Sequence, residues 1–205
     1  VGLLSHSGRE LMASRLEVLT EAQHTVVFEG VSEAPVPSLL RGFSAPVILH
    51  TDLTDADWLT LLAHDTDPFN RWEASQRLCM NAALKALEHP THSAEVLSAE
   101  VIEALRSVLH HPTLDAAFKE LVLTLPSETY IAEQLRVVEP QRVHAVREAM
   151  RAQLAHELHA DWAVVHAHTQ NSGGYSPDAV SSGRRALAGL ALSQLCLQAV
   201  KTGDP

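Results

Sequence analysis

The spacing of apolar residues changes part-way along the chain. Up to about residue 50 they come in short runs, at 1–4, 16–19, 24–28 and 47–49, rich in aliphatic and β-branched side chains. Turn-forming residues separate the runs: His6-Ser7-Gly8, then Thr20-Glu21-Ala22-Gln23, then Gly30. Such runs predict short strands of an antiparallel sheet. A sheet this small cannot cover its own face, so it needs a helical layer or further strands, and the expectation is a frayed or partly open sheet. From residue 52 onward apolar residues recur every third or fourth position, which is the helical period.

The helices announce their starts. Thr54 precedes Asp55 and Asp57 and caps a helix over about 54–64, with the acids where the dipole favours them. Asp67-Pro68 restarts the chain as cap and first helical residue, and Trp72, Leu78, Ala82 and Leu87 follow to about residue 88. Trp72 reads as a core anchor, and Asn70 and Arg71 as ties to the segment 35–47. Ser98 caps a helix whose Val101, Ile102, Leu105, Val108 and Leu109 share one face. Asp115 caps a short helix with Phe118, Leu121 and Val122 inward, and Ser127 caps another to about residue 135. After Glu139-Pro140, residues Val143, Val146, Met150, Leu154, Leu158, Trp162 and Val165 form one stripe, about thirty residues and ~45 Å if unbroken. The last helix, about 180–201, is apolar nearly all round, with Leu187, Leu190, Leu192, Leu195, Leu197 and Val200. Such a helix wants cover on several sides, from later helices or by dimerisation. Loops are expected at 89–93, 171–178 and 202–205. No constant repeat length emerges, yet the order suits consecutive antiparallel helix pairs, as in α-solenoids.

Residues 35–47, PVPSLLRGFSAPV, divide the two regions. Pro35, Pro37 and Pro46 lack an N–H, so no regular element is expected to run through. Val36, Leu39, Leu40, Phe43 and Val47 nevertheless call for burial. Arg41 beside Gly42 is a single strong cation, and an ion pair or carbonyl clamp is favoured over an anion site.

Composition narrows the function. The 205 residues carry a formal net charge of −10 and no Lys/Arg-rich run, which argues against nucleic acid or an anionic membrane as partner. No apolar run reaches the roughly 18 residues of a membrane span. Aromatics are scarce at 4%. Cys79 and Cys196 sit in apolar helical patterns and read as buried thiols without a disulfide. No signal peptide precedes Val1-Gly2-Leu3-Leu4, and the missing initiator Met fits a fragment.

The densest candidate chemistry is His156, Glu157 and His159, with His166 and His168 beyond. HELH is one residue short of HExxH, which puts two histidines four apart on one helical face with a glutamate as base. Here the histidines are three apart and no third ligand is evident, so a pH-sensitive solvated face is expected. His110 and His111 point about 100° apart on a helix and suit a helix end better than a shared metal. Ser5, His6, Ser7 and Glu10 read as a polar turn. No catalytic, cofactor-binding or metal-binding residue is assigned.

PVPSLLRGFSAPV, followed by DPFNRWEASQRL at 67–78, resembles the C-terminal part of bacterial M1 zinc metallopeptidases over the whole chain. The resemblance implies the end of a β-sandwich domain and proline-rich junction at 1–50 and the first part of a helical, superhelical domain at 51–205. The first sandwich strands would lie upstream of Val1. M1 enzymes remove N-terminal residues from peptides using zinc held by HExxH and a later Glu, and they hold the peptide amine with a GxMEN-type segment. Neither motif occurs here, so zinc belongs to the parent's catalytic domain. The implied role is a non-catalytic wall that encloses the active-site cavity and restricts access to short peptides, in the bacterial cytoplasm, partnered by the catalytic domain of the same polypeptide. Two other readings stand beside it: a helical scaffold binding a protein on a concave face, and a small hydrolase using the histidine cluster.

Overall fold

The computed structural model describes residues 1–89, 95–170 and 173–203. The loop expected at 89–93 therefore lies outside the described residues except for His89, as do positions 171–172 of the second loop and 204–205 of the third. The mainly helical reading holds: the described residues form eight α-helices and one small antiparallel sheet. The chain divides into two compact units, Val1–Ser75 and Gln76–Pro205.

In the first unit the sheet has the order β2-β1-β3, with β1 (Gly2–Leu4) in the middle, β2 at Glu10–Met12 and β3 at Val36–Ser38. β1 pairs antiparallel with both, Leu4 facing Glu10 on one side and Val36 on the other. Leu3, Leu4 and Val36 are buried. Only the first expected strand, at the chain start, forms as read. Residues 16–19, 24–28 and 47–49 are not strands. The strands that pair with β1 are 10–12 and 36–38 instead, and Leu16 of the first unpaired run stands 80% exposed. The proline segment does hold a regular element, contrary to expectation. Pro37 is tolerated because β3 is an edge strand, where a missing N–H breaks no inner ladder. A single 3-10 turn, Arg41–Phe43, follows.

Helix α1 (Asp55–His64) starts at the expected cap: Thr54 accepts from the Asp57 N–H, and the Asp57 carboxylate accepts from the Thr54 N–H at 2.8 Å. α1 packs on β3. Helix α2 (Pro68–Glu88) begins at Asp67, whose Oδ1 accepts from the Asn70 N–H at 3.0 Å. The division between the units falls within α2.

The second unit holds α3 (Ala99–His110), α4 (Ala116–Leu123), α5 (Glu128–Ala132), α6 (Pro140–Glu157), α7 (His159–Thr169) and α8 (Ala179–Thr202). Ser98, Asp115, Ser127 and Asp178 each cap a following helix through a side-chain oxygen. α8 packs against α4, α6 and α7, and α3 packs against α4 and α7. Close approach of α4 and α8 depends on Gly183, where a Cβ would sit 2.8 Å from the Ala117 backbone nitrogen. The face expected on α3 is buried throughout.

The long stripe of 143–165 is broken. Leu158, at φ −106° and ψ 19°, ends α6 and begins α7. The fully buried Trp162 donates its indole N–H to the Leu154 carbonyl at 3.0 Å, an oxygen that the Leu158 N–H also uses at 3.2 Å. The indole thus shares the Leu154 carbonyl with the backbone at the residue where the helical dihedrals are lost. Val143, Met150, Leu154, Leu158, Trp162 and Val165 remain buried on both sides of the break. Three other expectations fail locally. Leu121 is 53% exposed, and Leu123 joins Val122 in the buried face of α4, whose C-terminal end leads into buried Leu125. Cys196 is exposed because α8 turns that face, with Leu192 and Val200, away from its neighbours, while Cys79 is buried. Trp72 is half-buried rather than a core anchor.

Candidate functional site

The densest polar constellation of the first unit is built around Arg41. Its Nε donates to Ser38 Oγ at 2.6 Å, and Nη1 to Ser14 Oγ at 2.8 Å and Glu10 Oε1 at 3.1 Å. Nη2 donates to Asp65 Oδ1 at 3.1 Å. β2, β3 and the end of α1 thus converge on one guanidinium, which lies over the bare α-carbon of Gly2. A Cβ there would sit 2.3 Å from Arg41 Cζ. The side chain of Asp65 is wholly buried and that of Arg41 is 9% exposed.

Asp65 Oδ1 also accepts from the Asp67 N–H at 2.9 Å, whereas Oδ2 has no hydrogen-bond partner among the described residues. Asn70 Nδ2 donates to Ser38 Oγ at 2.7 Å, tying α2 to the proline segment as expected. Arg71 does not reach that segment. It caps the end of α1 instead, donating to the Leu62 and Ala63 carbonyls at 3.0 and 3.1 Å. Burial lowers the Arg71 guanidinium from its usual value, and the Asp65 charge offsets part of this. The expected ion pair at Arg41 is present, with carboxylates where an anion would have to bind. None of these groups pairs a nucleophile with a base, so the constellation positions backbone.

What it positions is a strained turn. Leu40 (φ 53°), Gly42 (φ 64°) and Phe43 (φ 51°) all occupy the left-handed region, which costs a non-glycine residue of order 1–3 kcal/mol. Asp67 Oδ2 holds the Gly42 N–H at 2.8 Å. Phe43 meets Phe69 at 5.2 Å between ring centroids, and Phe69 meets Trp72 at 5.8 Å. The sequence singled out Arg41 but not its partners. The signal available was the Asp65-x-Asp67-Pro68 spacing, two acids flanking a helix restart.

The histidines sequence reasoning weighed are not brought together as a metal site. His156 and Glu157 end α6, and His159 starts α7 across the break at Leu158. His156 Nδ1 lies 3.2 Å from Gln198 Nε2, His166 Nε2 lies 2.9 Å from Gln170 Nε2, and His168 Nδ1 donates to the Val164 carbonyl at 2.7 Å. Among the described residues no group of three or more His, Cys, Asp or Glu side chains is placed to hold a metal ion.

His110 is the last residue of α3 and turns to Asp161 of α7. Its Nε2 lies 2.7 Å from Asp161 Oδ1, while Arg106 Nε donates to Asp161 Oδ2 at 3.1 Å. Burial pushes the Asp161 carboxyl up, but the bonds from His110 and Arg106 outweigh it and leave the group below its ordinary value. A groove of about 550 Å³ lies in the second unit, lined by residues that include Gln153, His156, Glu157, Gln198 and Lys201. No residue there makes a nucleophile–base pair.

Residues 55–204 match a family described as a domain of unknown function, DUF3458_C, of ARM repeats, and residues 1–52 match DUF3458, of Ig-like fold. Aminopeptidase N of Caulobacter vibrioides is 40% identical over 188 residues, 91% of this chain and 21% of the relative. Aminopeptidase N of Escherichia coli is 37% identical over 141 residues, 68% of this chain and 16% of the relative. The crystal structure of Legionella pneumophila aminopeptidase A in complex with aspartic acid superposes with a TM-score of 0.85 at 26% identity, over 98% of this chain and 24% of that one. The chain spans about a fifth of the length of the curated relatives it matches. It belongs to the DUF3458_C family of ARM repeats, joined to a DUF3458 Ig-like segment, and is similar to a C-terminal segment of aminopeptidase N.

Proposed function

We propose that this chain is the non-catalytic helical wall of a zinc-dependent M1 aminopeptidase, helping to enclose the active-site cavity and restrict it to short peptides. The observation that carries this is 40% identity to aminopeptidase N across 91% of the chain, which covers 21% of that relative. The partner is the catalytic domain of the same polypeptide, which supplies the zinc. The place of action is the bacterial cytoplasm, and short peptides reach the zinc through the cavity this chain helps to close. The net charge of −10 and the lack of a Lys/Arg-rich run argue against nucleic acid as a partner. Alone, the chain has an exposed apolar face on α8 through which two copies can pair.

The purified chain, assayed with and without added zinc on an aminoacyl reporter, is expected to release no product. The parent enzyme lacking this segment is expected to lose its discrimination against long peptides, or to lose activity with its fold. Zinc-dependent turnover by the isolated chain would refute the reading in favour of the histidine-cluster hydrolase.

A further inference from the structure

We propose that Phe43, Phe69 and Trp72 form an aromatic docking strip for the upstream, catalytic part of the parent polypeptide, and that the strained turn at 40–43 serves to hold Phe43 outward in it. The proposal rests on the function proposed above and names the surface by which the wall is attached. A turn with three left-handed residues, two of them Leu40 and Phe43, is an expensive piece of backbone. Arg41, Asp65 and Asp67 stabilise it from below.

Strain of this kind in a purely structural turn should end in a buried side chain. Here it ends in Phe43, which is 57% exposed. Its ring joins Phe69 and Trp72 in one tilted row, at interplanar angles of 54° and 43°. Trp58 and Trp162 are buried, so this chain, only 4% aromatic, keeps a row of rings at its surface here. Aromatic side chains on a rigid backbone contribute heavily to protein–protein contacts, because their area is buried at little cost in side-chain entropy, and in this row Phe43 is the exposed ring while Phe69 and Trp72 are partly buried.

The occupant follows from where the strip lies and how much chain is absent. The strip belongs to the unit built on β1, and the matched relative is a little over four times as long as this chain, which covers 21% of it. Arg41 is neutralised by Glu10 and Asp65, so the partner surface is apolar rather than anionic.

The test mixes the full 205-residue chain with the upstream part of the parent, produced separately and ending before Val1. Association is followed by titration calorimetry and tryptophan emission. Phe43→Asn suits the left-handed backbone while removing the ring; it is expected to melt no lower than the wild type yet bind about tenfold more weakly or worse. Phe43→Tyr is expected to bind within about twofold, and Trp72→Phe to abolish the emission change. Hydrogen exchange on the unmodified chain provides a readout independent of any variant: residues 40–43 and 69–72 gain protection on mixing. Association with unchanged exchange at those residues and no loss in Phe43→Asn overturns the strip and leaves the wall reading standing. Absence of association by every readout overturns both.

Discussion

The Arg41 guanidinium lies 3.1 Å from the Asp65 carboxylate, and that carboxylate is fully buried at the end of α1. A buried charge of this sort is tolerated only while its partner remains. Arg41→Met is expected to destabilise the chain by about 3–5 kcal/mol, as removal of one member of a buried pair does. Arg41→Met combined with Asp65→Asn should cost clearly less than the sum of the two single changes. Urea midpoints of the four proteins form the cycle, and simple additivity would show that the pair is not coupled.

Gly2→Ala should reproduce part of that defect from the opposite side. Its methyl group would occupy the space of the guanidinium, 2.3 Å from Cζ, and push Arg41 off Asp65. The prediction is a loss of about 1–3 kcal/mol in the wild type that shrinks in an Arg41→Met background. Thermal melts in both backgrounds decide it.

Two glycines of α8 are expected to respond oppositely to alanine. At Gly189 nothing lies within 4 Å of an added Cβ, so Gly189→Ala should stabilise by about 0.5–1 kcal/mol through helix propensity. At Gly183 the new atom would meet the Ala117 backbone at 2.8 Å, and backbone cannot rotate away. Gly183→Ala should therefore destabilise by about 1–3 kcal/mol despite the same propensity gain. Equal and positive shifts in melting temperature would contradict the close packing of α4 on α8.

The turn between α6 and α7 depends on one indole. Trp162→Phe keeps an aromatic ring but removes the donor to the Leu154 carbonyl, and about 1–2 kcal/mol should be lost. Trp162→Ala should cost about 3–5 kcal/mol, because the residue is fully buried. Equal losses in the two variants would show that the hydrogen bond, not the buried volume, sets the contribution, and no loss in Trp162→Phe would show the reverse.

Acid should loosen the contact of α3 with α7. Asp161 is held below its ordinary value in the folded chain, so the unfolded chain binds its proton more readily. The stabilisation is complete above the ordinary carboxylate value of about 3.9 and is lost as pH falls through the lower, folded one. Asp161→Asn should flatten the stability–pH curve in that acid range and leave its slope near neutrality unchanged. An unaltered acid limb, measured by urea unfolding from pH 5 downward, would refute the assignment.

Helix starts were legible residue by residue, since Thr54, Ser98, Asp115 and Ser127 satisfy backbone donors a few positions away. The same locality made the buried face of α3 readable. Strands were not. Residues 16–19 and 24–28 have the composition of strands, but a strand exists only through its partner, and the partners of β1 are 10–12 and 36–38. The break at Leu158 was hidden because the buried stripe keeps its spacing straight through it, while the cause is an indole reaching back eight residues.

The family was readable in two stretches, 35–47 and 67–78, because their proline and capping chemistry is local and particular. Which acids answer Arg41, which rings line up beside Phe43, and which faces of α8 stay open were decided only by the folded chain. Those relations join residues 24 or more apart, as Arg41 to Asp65 and Glu10 are. Sequence periodicity carries no information about such distances: a period says which way a side chain points from its own element, and only packing says what it meets there.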